Sequence, residues 1–368
     1  MESIRRAVID IGTNSIKLLV ADVSDAGVEP VIEESEQTRL GAGFFGTNRL
    51  QPDAVARTAQ AVLLFAGKAR DLRAATIRII ATSAARDAVN PGDLTNAIES
   101  AAGLKVEIIS GDQEADLAYH GVATDVELAA QPLLLVDVGG GSTEFILGRG
   151  GEKLFRKSFQ LGTVRLLEKL PQSDPPATQG LAACRDYIGE FFDRQVRPAL
   201  APLIQQTETA HDQWVARQPG ASAEAEGWGE WATFMGGLRS KASSGMHSRS
   251  IPVLRSQRAE AVGGSHEVRL VGTGGTATIL ARMAARLDIY DRKVIEATRL
   301  NAAQVHAQVK RLWGMPLAER RNITGLPKNR ADVILPGVVI YEQLMGCFNF
   351  AELRITTRGL RFGAVRTG

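Results

Sequence analysis

The sequence is poor in cysteine, in net charge and in long apolar runs, and each shortage excludes a class of protein. Only Cys184 and Cys347 occur among the 368 residues, without a CxxC pair or a metal-ligand spacing, which favours a reducing compartment. The net charge of +2 indicates neither a nucleic-acid nor a membrane partner. No apolar signal region precedes the first predicted strand, and no apolar run approaches the roughly 20 residues of a bilayer span. We therefore expect a cytoplasmic protein of about two domains.

What the sequence does contain is a glycine-rich turn between two apolar strands. The apolar run 133–136 leads into Asp137-Val-Gly-Gly-Gly-Ser-Thr-Glu144, and a second apolar run, 145–147, follows. Glycine lets a backbone approach a ligand closely, and successive N–H groups in such a turn bind anions. A Mg²⁺ ion between the two carboxylates would relieve their repulsion toward phosphate. The stretch predicts a phosphate-binding turn with a metal at its flanks, and a plain glycine-rich hairpin is the alternative.

A second copy of this pattern lies near the N-terminus. The apolar strand 6–9 leads into Asp10-Ile-Gly-Thr-Asn-Ser15, and the strand 16–20 follows. The matching pairs are Asp10 with Asp137, Gly12 with Gly139, and Ser15 with Ser142. Internal self-similarity at this spacing predicts a duplicated domain, with one phosphate turn from each copy facing a cleft between them.

Two charged residues lie at predicted helix starts. Arg86 falls in the first turn of a helix after Thr82, where the helix dipole disfavours a cation unless an anion binds there. Ser110 and Gln113 fit a capping box, so the cap is complete without Glu114. Glu114, kept ionised by the helix dipole, is therefore a candidate general base. An ordinary surface role is the alternative for Arg86 and for Glu114.

The second half of the chain contains one more glycine turn and one irregular stretch. A helix is predicted over 180–197 and is expected to end at Pro198. Residues 205–266 show neither a helical nor a strand periodicity of apolar residues, which predicts a long loop or insertion. The sequence then predicts a strand at 268–271, a glycine turn Gly272-Thr-Gly-Gly-Thr276 and a helix at 277–286. In this arrangement the N-terminus of the helix points at any ligand that the turn binds.

Taken together, these motifs resemble the exopolyphosphatase / guanosine pentaphosphate phosphohydrolase family of the actin–Hsp70–sugar kinase superfamily. The motifs that carry the resemblance are DIGTNSIKLLV at 10–20, ATSAARDAVN at 81–90, ISGDQEADLAYHGV at 109–122, DVGGGSTE at 137–144, GTGGTAT at 272–278, RADVILPG at 330–337 and TTRGLRFG at 356–363. They occur in the family's order and cover most of the chain outside the insertion.

The resemblance implies an α/β fold of two duplicated actin-like, ribonuclease H-like domains with an interdomain cleft. Domain I is expected over 1–125, with 350–368 packing back on it, and domain II over 126–349 with an insertion at about 205–266. The implied reaction is hydrolysis of a terminal phosphoanhydride, releasing orthophosphate from inorganic polyphosphate or guanosine pentaphosphate. Mg²⁺ or Mn²⁺ is the implied cofactor, and a homodimer is left open.

The resemblance also implies roles for individual residues. Glu114 matches the family's catalytic glutamate, and Glu144 matches a carboxylate that orients water. Asp137, Glu144 and Asp10 are the implied metal ligands. The implied phosphate contacts are Thr13, Asn14, Ser15, Arg86, Gly139, Gly140, Gly141, Ser142 and Thr143. The implied nucleotide- or chain-binding residues are Gly272, Thr273, Gly274 and Gly275.

The sequence departs from the family pattern in three places. Gln113 replaces the first of two glutamates in the third motif, and Phe362 replaces an acid before the final glycine. The sequence also ends there, without the C-terminal helical domain of the longer exopolyphosphatases, which argues against processive digestion of long chains.

Two other functions are compatible with the motifs. One is an ATP-dependent kinase or ATPase of the same superfamily, which would use 272–276 against adenosine. The other is a sensor without catalysis that binds polyphosphate or guanosine alarmones. For the insertion, the basic segment Arg239–Arg258, without an acidic residue, predicts an arm that gathers polyanionic substrate.

Overall fold

The first half of the structure is a five-stranded mixed sheet. The computed structural model describes residues 3–216 and 268–367. The strands of this sheet are β1 (Ile4–Ile11), β2 (Ile16–Ser24), β3 (Gly27–Glu36), β4 (Thr76–Ala81) and β5 (Val106–Ile108). They lie in the order β3-β2-β1-β4-β5, with β1 to β3 antiparallel and β4 and β5 parallel to β1. The helices that follow within this half are α1 (Pro52–Asp71), α2 (Ser83–Arg86) and α3 (Pro91–Ala102).

The second half is built around a six-stranded mixed sheet. Its strands are β6 (Leu133–Val138), β7 (Thr143–Arg149), β8 (Glu152–Phe159), β9 (Arg269–Thr273), β10 (Arg299–Asn301) and β11 (Glu352–Ile355). Their order is β10-β11-β9-β6-β7-β8. Its helices are α6 (Thr163–Lys169), α7 (Thr178–Phe191), α8 (Arg197–Ala216), α9 (Gly274–Ala284), α10 (Arg292–Ala297), α11 (Ala302–Trp313), α12 (Leu317–Arg320) and α13 (Ile334–Phe348). A short 3₁₀ turn covers Lys328–Arg330.

The two sheets repeat one topology. The order β8-β7-β6-β9-β11 copies β3-β2-β1-β4-β5, since each begins with three antiparallel strands and continues with two parallel ones. The apolar run of β6 is buried on both faces. Leu134 and Val136 face the core formed with α7, α11 and α13, whereas Leu133 and Leu135 face the opposite side. The predicted duplication is therefore present in the strand order.

Two helices fill the space between the sheets. They are α4 (Gly111–Val122) and α14 (Leu360–Thr367), with the short α5 (Val126–Ala129) following α4. Ala115 and Tyr119 of α4 pack on the second sheet, and Leu117 packs on the first. The crossing of α4 and α14 is close, because a Cβ on Gly121 or on Gly363 would lie 2.0 Å from a backbone carbonyl oxygen of the other helix or the turn before it. This crossing joins the halves on one side of the cleft.

The structure corrects three sequence predictions about organisation. The helix expected to end at Pro198 continues through a π-helical turn, Phe192–Val196, into α8. Pro198 lies in the first turn of α8, just after this π-helical turn, and does not end the helix. Residues 205–216, assigned to the insertion, are helical, and the basic segment 239–258 lies outside the described residues. Only α14 of the segment 350–368 packs on the first sheet, since β11 belongs to the second.

Within the two described ranges, no helix combines the length and the apolar character that a membrane crossing requires.

Candidate active site

The two predicted phosphate turns have the same backbone geometry. In the first turn the N–H of Gly12 donates to the carbonyl of Ser15 at 3.0 Å. In the second turn the N–H of Gly139 donates to the carbonyl of Ser142, also at 3.0 Å. The sequence match at these four positions therefore reflects a structural match.

The strand register also places the same positions opposite one another in each hairpin. Asp10 of β1 lies opposite Lys17 of β2, and Asp137 of β6 lies opposite Glu144 of β7. All four line one cleft between the two halves of the molecule. The hairpins therefore bring three carboxylates and one ammonium group to the same site.

The turns touch each other across the cleft. A Cβ on Gly140 would lie 3.0 Å from Cβ of Thr13, and a Cβ on Gly141 would lie 2.4 Å from Oγ of Ser83. Glycine is required at Gly141 because any side chain there would displace the facing hydroxyl. The close approach brings the amides of the second turn against the hydroxyls of the first half.

Several buried polar atoms of the cleft lack a hydrogen-bond partner in the described part of the chain. They are Thr13 Oγ1, Asn14 Nδ2, Ser15 Oγ and Ser83 Oγ. The Asn14 amide is oriented by Gln37, which donates to its Oδ1 at 3.0 Å. A buried polar atom without a partner raises the free energy of the folded state by about 1–3 kcal/mol. Their convergence in one cleft fits a polar ligand that accepts their hydrogen bonds.

The size of the cleft limits what it can enclose. Its cavity volume is about 90 Å³, whereas pockets for drug-sized ligands enclose about 300–1,000 Å³. A phosphoryl group with a few waters fits this space, and a complete nucleotide does not. The remainder of any larger substrate must lie outside it.

Glu114 lies at the start of α4, where the predicted capping box is present. Ser110 accepts from the N–H of Gln113, and the Gln113 side chain accepts from the N–H of Ser110. Burial raises the pKa of the Glu114 carboxyl to about 7; the nearby Arg86 opposes this shift, and Asp10 and Asp137 add to it. The prediction that the helix dipole keeps Glu114 ionised is therefore wrong near neutral pH, because burial outweighs the dipole. A carboxyl with that pKa exchanges protons readily near neutral pH, as a general base requires.

Arg86 is the hydrogen-bond partner of this carboxyl. Its Nη1 donates to Oε2 of Glu114 at 2.8 Å and to the carbonyl of Ile109 at 3.2 Å. The helix that contains Arg86 has a single turn, Ser83–Arg86, so the dipole argument for a bound anion has little force. The structure therefore assigns Arg86 to positioning Glu114, and its predicted contact with phosphate stays a prediction.

Glu144 is held by two hydroxyl groups. Ser142 and Ser158 each donate to its Oε1 at 2.7 Å. Burial raises the pKa of the Glu144 carboxyl well above its ordinary value, and the neighbouring carboxylates of Glu114 and Asp137 raise it further, while the two hydroxyls oppose the shift. Glu114 and Glu144 thus form a coupled acidic pair on one side of the cleft.

A scan against models of protein families matches residues 19–213 and 252–367 to the model described as the Ppx/GppA phosphatase family. The chain belongs to this family. Among curated proteins, Exopolyphosphatase 2 of Mycobacterium tuberculosis, from strains CDC 1551 / Oshkosh and ATCC 25618 / H37Rv, is 31% identical over 350 residues. The match covers 92% of this chain and 89% of that protein.

Solved structures related to the Ppx/GppA family have the same fold. An exopolyphosphatase-like protein superimposes with a TM-score of 0.75 at 25% identity, covering 100% of this chain and 98% of that chain. An exopolyphosphatase from Cytophaga hutchinsonii ATCC 33406 superimposes with a TM-score of 0.74 at 23% identity, covering 99% and 97%. The predicted family and the α/β fold of two duplicated actin-like domains are confirmed.

The metal ligands predicted for this Ppx/GppA phosphatase all line the cleft. Among residues 3–216 and 268–367, no three acidic, histidine or cysteine side chains come together in a metal-binding arrangement. Oε1 of Glu144 already accepts from two serine hydroxyls, and the predicted set of Asp10, Asp137 and Glu144 stays a prediction. Asp10 and Asp137 remain a pair of carboxylates that accept no side-chain hydrogen bond in this part of the chain. Such a pair fits Mg²⁺, which is bound by one or two carboxylates together with substrate phosphates and water.

Lys17 sets the electrostatics of that pair. Its Nζ lies 3.9 Å from Oδ2 of Asp10. Burial raises the pKa of both aspartates, and the Lys17 ammonium group opposes the shift at each of them, as does Arg361. The first hairpin therefore supplies a cation that keeps the acidic residues of both hairpins closer to their ionised form.

Two predicted groups of contact residues need correction. The Thr143 hydroxyl donates to the carbonyl of Leu161 at 2.5 Å and is fully buried, so its side chain cannot contact phosphate. Of the glycine turn at 272–275, only Gly275 lines the cleft. Gly274 instead makes room for Asp137, since a Cβ there would lie 2.0 Å from its Oδ1.

Among the polar residues of the cleft that sequence reasoning missed are Lys17, Ser83 and Arg330. Lys17 occupies the position of Glu144 in the duplicated turn, and this alignment could have identified it. Arg330 opens the RADVILPG motif, which by itself indicates no chemistry. Burial lowers the pKa of the Arg330 guanidinium to about 10, which still leaves it cationic at neutral pH.

Proposed function

We propose that this Ppx/GppA phosphatase hydrolyses the terminal phosphoanhydride of inorganic polyphosphate and releases orthophosphate. The observation that carries the proposal is a carboxyl with a pKa of about 7, Glu114, in a phosphate-sized space on which unpartnered buried donors of the first turn and of Ser83 converge. The name of the mycobacterial relative, Exopolyphosphatase 2, supports the choice of substrate.

The terminal phosphoryl group is held by the two turns. The amides of Gly139, Gly140 and Gly141 form an anion-binding concavity, and the hydroxyls of Thr13 and Ser15 donate to the same oxygens. Lys17 and Arg330 add positive charge at the cleft. Phosphoryl transfer depends mainly on such positioning and charge neutralisation.

The attacking water is activated on the opposite side of the cleft. Glu114 accepts its proton, and Arg86 fixes the carboxyl in place for this transfer. Glu144, held by Ser142 and Ser158, orients the same water. Asp10 and Asp137 are the residues that would hold a divalent cation, Mg²⁺ or Mn²⁺, which when bound neutralises charge on the phosphoryl oxygens.

Guanosine pentaphosphate is a second substrate of the same chemical class. Only its terminal phosphoryl group needs to enter a cleft of about 90 Å³, so the guanosine moiety lies outside the enclosed space. The kinase or ATPase alternative is less well supported, because three of the four residues predicted to contact a nucleotide, Gly272 to Gly274, do not line the cleft.

The test is a phosphate-release assay with polyphosphate, guanosine pentaphosphate and ATP side by side, with and without chelator. We expect saturable release from polyphosphate, slower release from ATP, and loss of release in excess chelator. Phosphotransfer from ATP without release from polyphosphate would instead favour the kinase alternative. Binding of polyphosphate without release of phosphate would favour a sensor.

A further inference from the structure

A second and larger groove lies at the end of the edge strand β8. It encloses about 780 Å³, compared with about 90 Å³ for the catalytic cleft. Its walls come from β8, α6, α7 and the loop before α1, and the residues used below are Phe45, Lys157, Phe159, Arg165, Lys169 and Tyr187. A groove of this volume is large enough for the part of a substrate that the cleft cannot enclose.

The cations of this groove rest on aromatic rings. The Lys157 ammonium group lies 4.8 Å from the ring centre of Phe159, and the Lys169 ammonium group lies 4.7 Å from that of Tyr187. In the described part of the chain, neither lysine has an ion-pair partner. Ring contacts of this kind hold a long side chain in one region at little loss of charge. The groove therefore presents two positioned and unpaired positive charges.

A third cation links the groove to the catalytic cleft. The Arg165 guanidinium lies 4.3 Å from the ring centre of Phe45, and its Nε donates to the carbonyl of Gly141 in the second phosphate turn at 2.8 Å. On the other wall, Ser158 lines the groove and donates to Glu144 of the cleft. Arg165 and Ser158 therefore lie in the wall that separates the groove from the catalytic cleft.

The acidic residue of the groove, Glu168, already accepts hydrogen bonds from the backbone. Glu168 accepts from the backbone N–H groups of Gly43 and Phe45 at 2.8 and 3.0 Å, which offsets part of its charge. Arg165 is itself paired with Asp87, whose Oδ2 lies 3.2 Å from its Nη2. Lys157 and Lys169 therefore stand against the single, partly offset carboxylate of Glu168, and the groove favours an anionic ligand.

We propose that this groove binds the phosphates of a polyphosphate chain that lie beyond the terminal group held in the cleft. The proposal rests on the proposed function and adds a chain-binding site to it. Cations lie over the rings of Phe45, Phe159 and Tyr187, and this positive charge favours a phosphate chain over a nucleobase. A chain that extends past the cleft into the groove would contact Lys157 and Lys169, and a chain that ends within the cleft would not.

The test is the double substitution Lys157→Ala/Lys169→Ala, assayed on long-chain polyphosphate and on tripolyphosphate. We expect KM for the long chain to rise roughly three- to tenfold at low ionic strength, as for two exposed charge contacts. We expect KM for tripolyphosphate and kcat on both substrates to stay unchanged. The matched control is Lys105→Ala/Lys310→Ala, which removes the same charge from exposed positions elsewhere and should leave all four values unchanged.

Three results would overturn the proposal: an unchanged KM for the long chain, an equal rise for tripolyphosphate, or an equal rise in the control pair. The second would show that the lysines act through the shared wall, and the third that only net charge matters. If the wild-type protein releases no phosphate from any polyphosphate, the proposed function fails. The groove is then judged by titrating long-chain polyphosphate into both lysine pairs, where only Lys157→Ala/Lys169→Ala should bind more weakly.

Discussion

The two phosphate hairpins have the same backbone but opposite charges at one position. Lys17 ends the first hairpin where Glu144 ends the second. Burial raises the pKa of Asp10 and Asp137 and Lys17 opposes that rise, whereas the pKa of Glu144 is raised both by burial and by the carboxylates around it. Duplication thus supplied two equal scaffolds, and one substitution gave them different tasks. Under the proposed function, both hairpins hold phosphate and cation, Lys17 adds positive charge to them, and Glu144 orients the attacking water.

The largest effect should come from Glu114, which lies on α4 and acts on water together with Glu144 of the second hairpin. Replacing Glu114→Gln should lower kcat by roughly 10²–10⁴-fold, because general-base catalysis typically contributes that much. The binding of polyphosphate should change little, since the turns are untouched. Initial rates and equilibrium binding measure the two quantities. The matched control is Glu99→Gln, an exposed carboxyl on α3, which should retain wild-type kcat; near-normal turnover of Glu114→Gln would remove the residue from the mechanism.

The same substitution should change the pH dependence of stability. The folded-state pKa of Glu114 is about 7, above its ordinary value of 4.5, so its contribution is present below about pH 4.5 and is lost as the pH rises to about 7. Relative to Glu114→Gln, the wild-type protein should lose on the order of 3 kcal/mol across that window. Urea unfolding at pH 5 and pH 8 gives the comparison. Parallel stability curves for the two proteins would contradict the raised pKa.

The hairpins face each other because α4 and α14 cross closely, and a smaller effect tests this crossing. Gly363→Ala places a Cβ 2.0 Å from the carbonyl oxygen of Leu117, which should reduce the free energy of unfolding by about 1–3 kcal/mol. Gly346→Ala is the control, because this helical glycine has open space around its Cβ position. Thermal unfolding should separate the two variants, and equal midpoints would show that the crossing can widen without loss.

The smallest effect concerns the lysine side of the comparison. Lys17→Met should lower kcat roughly two- to fivefold, since Lys17 is partly exposed and its charge is partly screened. It should also move the acidic limb of the pH–activity profile to higher pH, because the pKa values of Asp10 and Asp137 would no longer be lowered. Lys17→Arg keeps the charge and should restore the wild-type limb. An unshifted limb in Lys17→Met would show that the aspartates do not depend on this lysine.

Local patterns in the sequence determined much of the fold and part of the site. Three features depend only on neighbours within a few residues. They are the side chains of β6 that point alternately into two cores, the capping box at Ser110 and the two glycine turns. The chain could therefore be predicted to form duplicated strand–turn–strand units with Glu114 at a helix start. The helix end at Pro198 was predicted wrongly because a π-helical turn and the chain beyond it, rather than local propensity, decide where that helix ends.

Tertiary structure alone decided how the charges of the site are paired. The pairing of Arg86 with Glu114, the effect of Lys17 on Asp137 and the donation of Thr143 to Leu161 each join elements that lie apart in the sequence or in different sheets. No local pattern encodes such contacts, because they depend on the register of the sheets and on the burial that raises the carboxyl pKa values. The sequence therefore determined which groups are present, and the packing of the two halves decided which of them carry a proton, bind phosphate or hold another side chain in place.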